Sequence, residues 1–381
     1  MNKIFQEKKQ FIVLSQKNFD HNVDQIKSKT TKKIIAVVKA NAYGHGLIEI
    51  SKFADCNDHI DMIATHSLSE ALELRNIGIK KKILVLAHVD ANLELAKLHN
   101  ISLVVFNIEQ LELAINENVN FHLKFNTGLN RLGFNPDETT KIIDILLAKN
   151  ISPEGIFSHF AESDAHILDY TKMQIKLFDQ IVDDFAKNNI NFQYKHLSNS
   201  TGFLRSIDSI HANSLRCCGS ILGLKKILYS KEFEINLLPV LSWYSPIIQI
   251  KDVGPGEYIG YGRTYCTKKP TKIAVIATGY ADGYPLTLTN CGYVGFNGQL
   301  FPIVGKICMN MIIIDITCSD NLQVGDFVEL VSEKISLEYL SGLIKLPVYF
   351  IACGINSKIT KKNYVENCID YSKTKNQLTL Q

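Results

Sequence analysis

The sequence predicts an α/β chain in two parts: an N-terminal (β/α)8 TIM-like barrel, then a C-terminal mostly-β domain. Three observations carry this. Up to about residue 230, short β-branched runs alternate with longer helical patterns, the signature of parallel βαβ units. The strand runs number eight, which fits a closed barrel better than an open sheet. After about residue 235 the texture changes to short alternating runs punctuated by turns. The expected ranges are 9–235 for the barrel and 236–381 for the β domain, with the charged, non-periodic 225–234 as linker.

The barrel strands are expected at 34–40, 61–65, 82–88, 102–106, 120–125, 154–160, 194–198 and 215–221. Helices are expected at 69–78, 108–118, 136–150 and 170–189. The last is the most regular, with an apolar face at Met173, Leu177, Ile181 and Phe185. In the second part, strands are expected within 245–260, 272–283, 292–310 and 324–331. Gly-Pro-Gly at 254–256 and Phe-Asn-Gly at 296–298 supply turns between them.

Composition removes several classes. The 381 residues carry 41 Lys+Arg against 38 Asp+Glu, a net charge of +3 that gives no footprint for nucleic acid or an anionic membrane. With 46% apolar and 21% charged residues the chain can bury ordinary cores, so wholesale disorder is excluded. Its longest apolar stretches, 83–89 and 311–316, are far shorter than the ~20 residues of a membrane helix. The opening MNKIFQEKKQ lacks the apolar segment of a signal peptide, so a cytoplasmic location is expected. Nine cysteines, an odd count without CxxC, argue against a disulfide framework or zinc ribbon. The pair Cys217-Cys218 reads as two small core residues in a reducing compartment. Eleven histidines form no HxxxH or HxH, and no metal site is expected.

The segment 35-IAVVKANAYGHG-46 places Lys39 at the carboxyl end of an early barrel strand, where barrel enzymes build their sites. Desolvation there lowers an amine's pKa and lets it attack a carbonyl. Taken alone, a surface lysine closing a strand is the commoner case. The neighbouring residues shift that balance.

AVVKANAYGHG resembles the pyridoxal-phosphate attachment motif of bacterial alanine racemases. Further segments agree in the family's order: 124-KFNTGLNRLGF-134, 156-IFSHFAESD-164, 196-HLSNST-201, Arg216, 259-IGYGRTY-265, 278-TGYADGYP-285 and 303-IVGKICMN-310. The resemblance implies a barrel followed by a β domain, a homodimer with shared sites, and supply of D-alanine for peptidoglycan. It implies Lys39 as the lysine linked to pyridoxal 5'-phosphate, with Tyr43, Ser200 and backbone amides near Cys218 and Gly219 at the phosphate.

Racemisation removes a proton from one face of Cα and returns one to the other, so two bases are expected. The resemblance assigns these to Lys39 and to Tyr261 of the partner subunit; Tyr265 lies nearby but outside the motif position. A tyrosine needs help to act as a base near neutral pH. The resemblance supplies His159, adjacent to Tyr261 and in contact with Arg216. Arg216 is implied at the cofactor's pyridine nitrogen, where a guanidinium has no proton to give up and the ring becomes a weaker electron sink. The resemblance also implies Arg131 at the substrate carboxylate, with the amide of Met309 from the partner subunit, and matches Lys124 to a lysine that is often carbamylated in the family.

Four positions depart from the family pattern. Asn126 and Asn310 replace aspartates, and Arg216-Cys217-Cys218-Gly219 carries one more residue before its glycine. Ser357 stands where many members have a phosphate-binding tyrosine, which predicts a looser site. The alternatives are a racemase for serine or another small amino acid, and a non-catalytic pyridoxal-phosphate-binding barrel protein. The β domain and Tyr261 argue against the second. A barrel decarboxylase is disfavoured by Arg216, because decarboxylation needs a strong electron sink.

Overall fold

The computed structural model describes residues 9–224 and 235–364; the expected linker at 225–234 and the stretch beyond 364 lie outside the described residues. The first strand, β1 (Phe11–Ser15), leads into the helix Gln16–Lys27, whose first turn is capped by the Ser15 hydroxyl accepting from Asn18 N. Eight parallel strands follow and close on themselves. They are β2 (Lys33–Val37), β3 (Ile60–Ser67), β4 (Lys82–His88), β5 (Ile101–Val105), β6 (Phe121–Lys124), β7 (Gly155–Phe157), β8 (Tyr194–Asn199) and β9 (Ser214–Cys217). Each falls within a run that the sequence marks, or one residue beyond it at its start, or two at its end. Runs such as KIIAV in β2 are buried on both faces, as a barrel strand under helices requires.

The second sheet contains β10 (Leu241–Val253), β13 (Thr271–Ile276), β14 (Tyr293–Phe296), β15 (Gln299–Pro302), β16 (Ile312–Asp315), β17 (Phe327–Val331) and β18 (Thr360–Tyr364). A separate small ribbon pairs β11 (Tyr258–Ile259) with β12 (Tyr265–Cys266). The turn between β14 and β15 is the expected Asn297-Gly298, both at positive φ (48° and 77°) as a tight hairpin demands.

One strand crosses the division drawn at 235/236. β1 lies between β10, antiparallel, and β18, parallel, so the start of the chain completes the sheet of the C-terminal part. Gln10 secures it by accepting from Trp243 Nε1 at 3.1 Å and from the Thr278 hydroxyl at 2.9 Å. The second part also contains the short helices Leu337–Ile344 and Val348–Gly354, which the alternating texture concealed.

The long helix Asp169–Lys187 corrects the expected apolar face. Its buried stripe runs through Gln174, Phe178, Ile181, Val182 and Phe185, while Met173 is 42% exposed and Leu177 sits half-buried at the margin. The helix is rotated so that the two phenylalanines fill the core, pushing Met173 to the solvent side. Among the described residues no single helix is long and apolar enough to cross a membrane.

Candidate active site

Lys39 follows β2 at the carboxyl end of the barrel, and the register pairing Ala36 with Cys217 sets it beside the loop after β9. The chain leaves the strand in an uncommon way. Ala40, Asn41, Ala42 and Tyr43 all adopt left-handed angles, with φ of 54°, 55°, 48° and 53°. Each such residue costs about 1–2 kcal/mol, so the turn persists only because its surroundings hold it. Ala42 N donates to Val38 O at 2.7 Å, Gly46 N to Asn41 O at 2.9 Å, and Leu47 N to the Asn41 side-chain oxygen at 2.9 Å. Gly44, at φ 81°, closes the turn where a Cβ would collide with the Ala352 carbonyl.

Four cations converge at this mouth. Burial lowers the pKa of Lys39, and Arg131 and Arg216 push it the same way, against an opposing effect of Cys218. Lys124, at the end of β6, is brought down to about 7 by burial and then by Arg131, Arg216 and Lys39. Among the described residues, the strongest influences on either amine are burial, the other cations and, for Lys39, the Cys218 and Cys353 thiols. A cluster of this kind is a receptor for anions.

Arg216 is buried and fans its donors into the barrel. Nη1 reaches His196 Nδ1 at 2.7 Å and His196 O at 3.0 Å; Nη2 reaches Ser158 O at 2.9 Å, Leu197 O at 2.8 Å and His159 Nδ1 at 2.9 Å. Burial draws its pKa down to about 10, still far above neutral. Guanidinium groups accept nothing, so both imidazoles accept at Nδ1 and carry their proton on Nε2. Burial, and then Arg216, holds both rings well below the usual histidine pKa and keeps them neutral.

Beside Lys39 lies a cradle of hydroxyls and amides. The Ser200 hydroxyl accepts from Cys218 N at 3.0 Å and meets the Ser220 hydroxyl at 3.0 Å. Tyr43 and Tyr349 face each other with ring centroids 5.4 Å apart. Burial, and then the Cys218 thiol, raises the pKa of both phenols, so each hydroxyl keeps its proton to donate. A Cβ on Gly219 would run into the Tyr349 hydroxyl, which explains a glycine at this point. Cys217 is a core residue as expected, whereas Cys218 is half-buried at the cradle.

Tyr349 corrects the expectation attached to Ser357. Ser357 is exposed and its carbonyl accepts from Lys361 Nζ, while the aromatic ring that reaches the cradle comes from the short helix Val348–Gly354. A tyrosine eight residues earlier, Tyr349, thus stands at the cradle instead. A lone tyrosine after Pro347 gives no sequence signal; only packing against Tyr43 reveals it.

Asn126 retains a clear task. Its side-chain oxygen accepts from Gly128 N at 3.1 Å and Asn130 N at 2.9 Å, shaping the loop that carries Arg131. Asn310 is exposed.

The structure brings together Lys39, Tyr43, Lys124, Arg131, His159, Ser200, Arg216, Cys218 and Gly219. It does not bring in Tyr261 or Met309. Tyr261 opens a single 3-10 turn after Gly260 and is 71% exposed, and no hydrogen bond joins it to His159. Met309 is 56% exposed, its carbonyl held by Ala281 N at 2.9 Å in the loop of the TGYADG segment.

A closed barrel with a desolvated lysine, an anion-receiving mouth and an appended β domain fits an enzyme that acts on small anionic substrates. Comparison with known proteins agrees. The alanine racemase N-terminal domain model matches residues 14–226 and the C-terminal domain model residues 240–363. Alanine racemases of Methanococcus maripaludis and Aquifex pyrophilus are 35% and 34% identical, over 90% of this chain and 95% and 94% of their own lengths. The structure of an alanine racemase from Clostridium difficile superposes with a TM-score of 0.88 at 28% identity, covering 95% of this chain and 97% of that one. The chain belongs to the alanine racemase family.

Proposed function

We propose that this protein interconverts L- and D-alanine with pyridoxal 5'-phosphate, in the cytoplasm, as a homodimer whose sites are shared, and so supplies D-alanine for peptidoglycan. One observation carries this reading. Lys39, Lys124, Arg131 and Arg216 lie close enough to act on one another's charge, beside a cradle of donating hydroxyls. That donor set fits a phosphorylated aldehyde and a substrate carboxylate. Lys39 would hold the cofactor, the Tyr43, Ser200 and Tyr349 hydroxyls with the Cys218 and Gly219 amides its phosphate, and Arg216 its ring nitrogen. When bound, the cofactor supplies an electron-withdrawing ring that makes the Cα proton acidic.

The protein's own groups do the rest. Arg131 grips the substrate carboxylate, for which a guanidinium is suited. Lys39 takes or returns a proton on one face of Cα. Tyr261 of the partner subunit serves the other face, with the His159 Nε2–H available to stabilise its phenolate. The partner's Met309 adds a backbone donor. The barrel, 9–235, thus carries the cofactor and the β domain, 236–381, completes the partner's site, with β1 lent by the first to the second. Lys124 as its carbamate would return a negative charge to the cluster and steady Arg131.

The test is racemisation of a panel of L-amino acids, alanine and serine included, with and without added pyridoxal phosphate, followed by borohydride reduction and peptide mapping. Alanine racemisation with label on Lys39 supports the reading. No racemisation of any amino acid, or label on another lysine, overturns it.

A further inference from the structure

Arg216 is one end of a line of buried side chains that the reaction described above leaves unused. Its Nη1 donates to His196 Nδ1 at 2.7 Å, and His196 Nε2 stands 3.0 Å from His122 Nδ1. His122 Nε2 then faces Glu154 Oε2 at 3.4 Å, without the alignment of a full hydrogen bond. Glu154 accepts from the Lys82 ammonium and the Ser102 hydroxyl. These residues lie on β9, β8, β6, the approach to β7, and the starts of β4 and β5. The line therefore crosses the barrel interior from its carboxyl end to its amino end.

The polarity of this line is determined from both ends. Arg216 only donates, so His196 accepts at Nδ1 and holds its proton on Nε2. That proton points at His122 Nδ1, which must accept, leaving the His122 proton on Nε2 and facing a carboxylate that only accepts. Any reversal at one member places two donors or two acceptors face to face beside rings that have no contact with solvent. The rings themselves cannot turn freely. Phe157 stacks on His196 at 4.6 Å and 9°, and Tyr194 on His122 at 5.7 Å and 24°. Neither imidazole has any exposed surface. Around them, Lys33 and Lys82 lie over the Tyr194 ring, and Lys124 and Arg216 over the Phe157 ring. Burial keeps both imidazoles neutral: at His196 the Arg216 charge adds to it, and at His122 burial outweighs the Glu154 carboxylate, which pulls the other way.

We propose that His196, His122 and Glu154 are positioning residues that hold the Arg216 guanidinium in one orientation, so that its donors are aimed at the ring nitrogen and at His159. The inference rests on the role given to Arg216 above. Glu154, at the far end of the barrel, would thereby act on the site through two neutral rings.

The decisive measurement is a long-range proton–nitrogen NMR correlation of the histidines in the protein free of cofactor. Both His196 and His122 should show the Nε2–H form and no titration between about pH 6 and 9. Glu154→Gln removes the carboxylate charge opposite His122 Nε2, so both histidine signals should change. In the loaded enzyme kcat should fall about tenfold, with KM for alanine within about twofold and a shifted cofactor absorbance. An Nδ1–H form at either histidine in the wild-type protein overturns the proposal without recourse to a variant. So does Glu154→Gln protein with unchanged histidine signals and unchanged kcat. Failure of the wild-type protein to racemise alanine strikes the functional reading and leaves the tautomer result standing; wrong tautomers in an active enzyme strike this inference alone.

Discussion

Arg216 Nη2 lies 2.9 Å from His159 Nδ1, and only the arginine can be the donor. That bond fixes the His159 proton on Nε2, the nitrogen not occupied by Arg216. A neutral imidazole presented this way is a hydrogen-bond donor, which is what a phenolate needs beside it. Tyr261 of the same chain is 71% exposed and makes no hydrogen bond to it.

Tyr261→Phe should retain the cofactor and lose most racemase activity. Proton abstraction from the L enantiomer should fall by about a hundredfold or more, the ordinary worth of a general base, while abstraction from the D enantiomer persists on Lys39. Deuterium wash-in measured separately on each enantiomer gives the answer. Equal losses would refute the division between two faces.

Mixing Lys39→Ala with Tyr261→Phe protein should restore activity that neither has alone. In each heterodimer one site regains both groups and the other loses both. With random pairing of equal amounts, about a quarter of wild-type sites return. Dilution below the dimer affinity should abolish activity, and a fully active monomer seen by sedimentation would contradict the shared site.

Lys124 ties activity and stability to pH. Its folded pKa of about 7 lies well below the ~10.4 of an unfolded lysine. Between these values the unfolded chain binds more protons, so stability rises as pH rises through that window. Lys39, shifted in the same direction, adds to the slope. Urea unfolding of the cofactor-free protein at pH 9 rather than 7 should show a gain of about 1–2 kcal/mol, and Lys124→Met should flatten much of it. The same neutral amine can capture carbon dioxide. A carbamate carbon signal should appear with labelled bicarbonate and vanish in Lys124→Met.

Tyr349, and not residue 357, should govern how firmly the cofactor is held. Tyr349→Phe removes one phosphate donor and should weaken retention on dialysis by roughly three- to tenfold, the worth of one hydrogen bond. Ser357→Tyr should leave both retention and the alanine-to-serine ratio of kcat/KM within about twofold. Gly219→Ala should cost more than either, since its Cβ meets the Tyr349 hydroxyl. Tighter binding in Ser357→Tyr would return that position to the site.

The sequence by itself determined the barrel strands, because apolar β-branched runs spaced by helical patterns are a local property that survives without knowing any partner. It also marked Lys39 by its place after a strand, and Arg216 by resemblance to a known family. Only the tertiary structure decided which edge β1 would join, since alternation defines a face but not a neighbour: Phe11 pairs with Tyr244 and Thr360, both more than 230 residues away. It alone set Tyr349 against Tyr43, and His122 against His196 and Glu154. Those groups come from separate strands and helices, and their meaning lies in hydrogen-bond directions and burial that arise when the barrel closes. A buried polar line has no sequence period to betray it, because each member is placed by packing across the fold and not by its own neighbours.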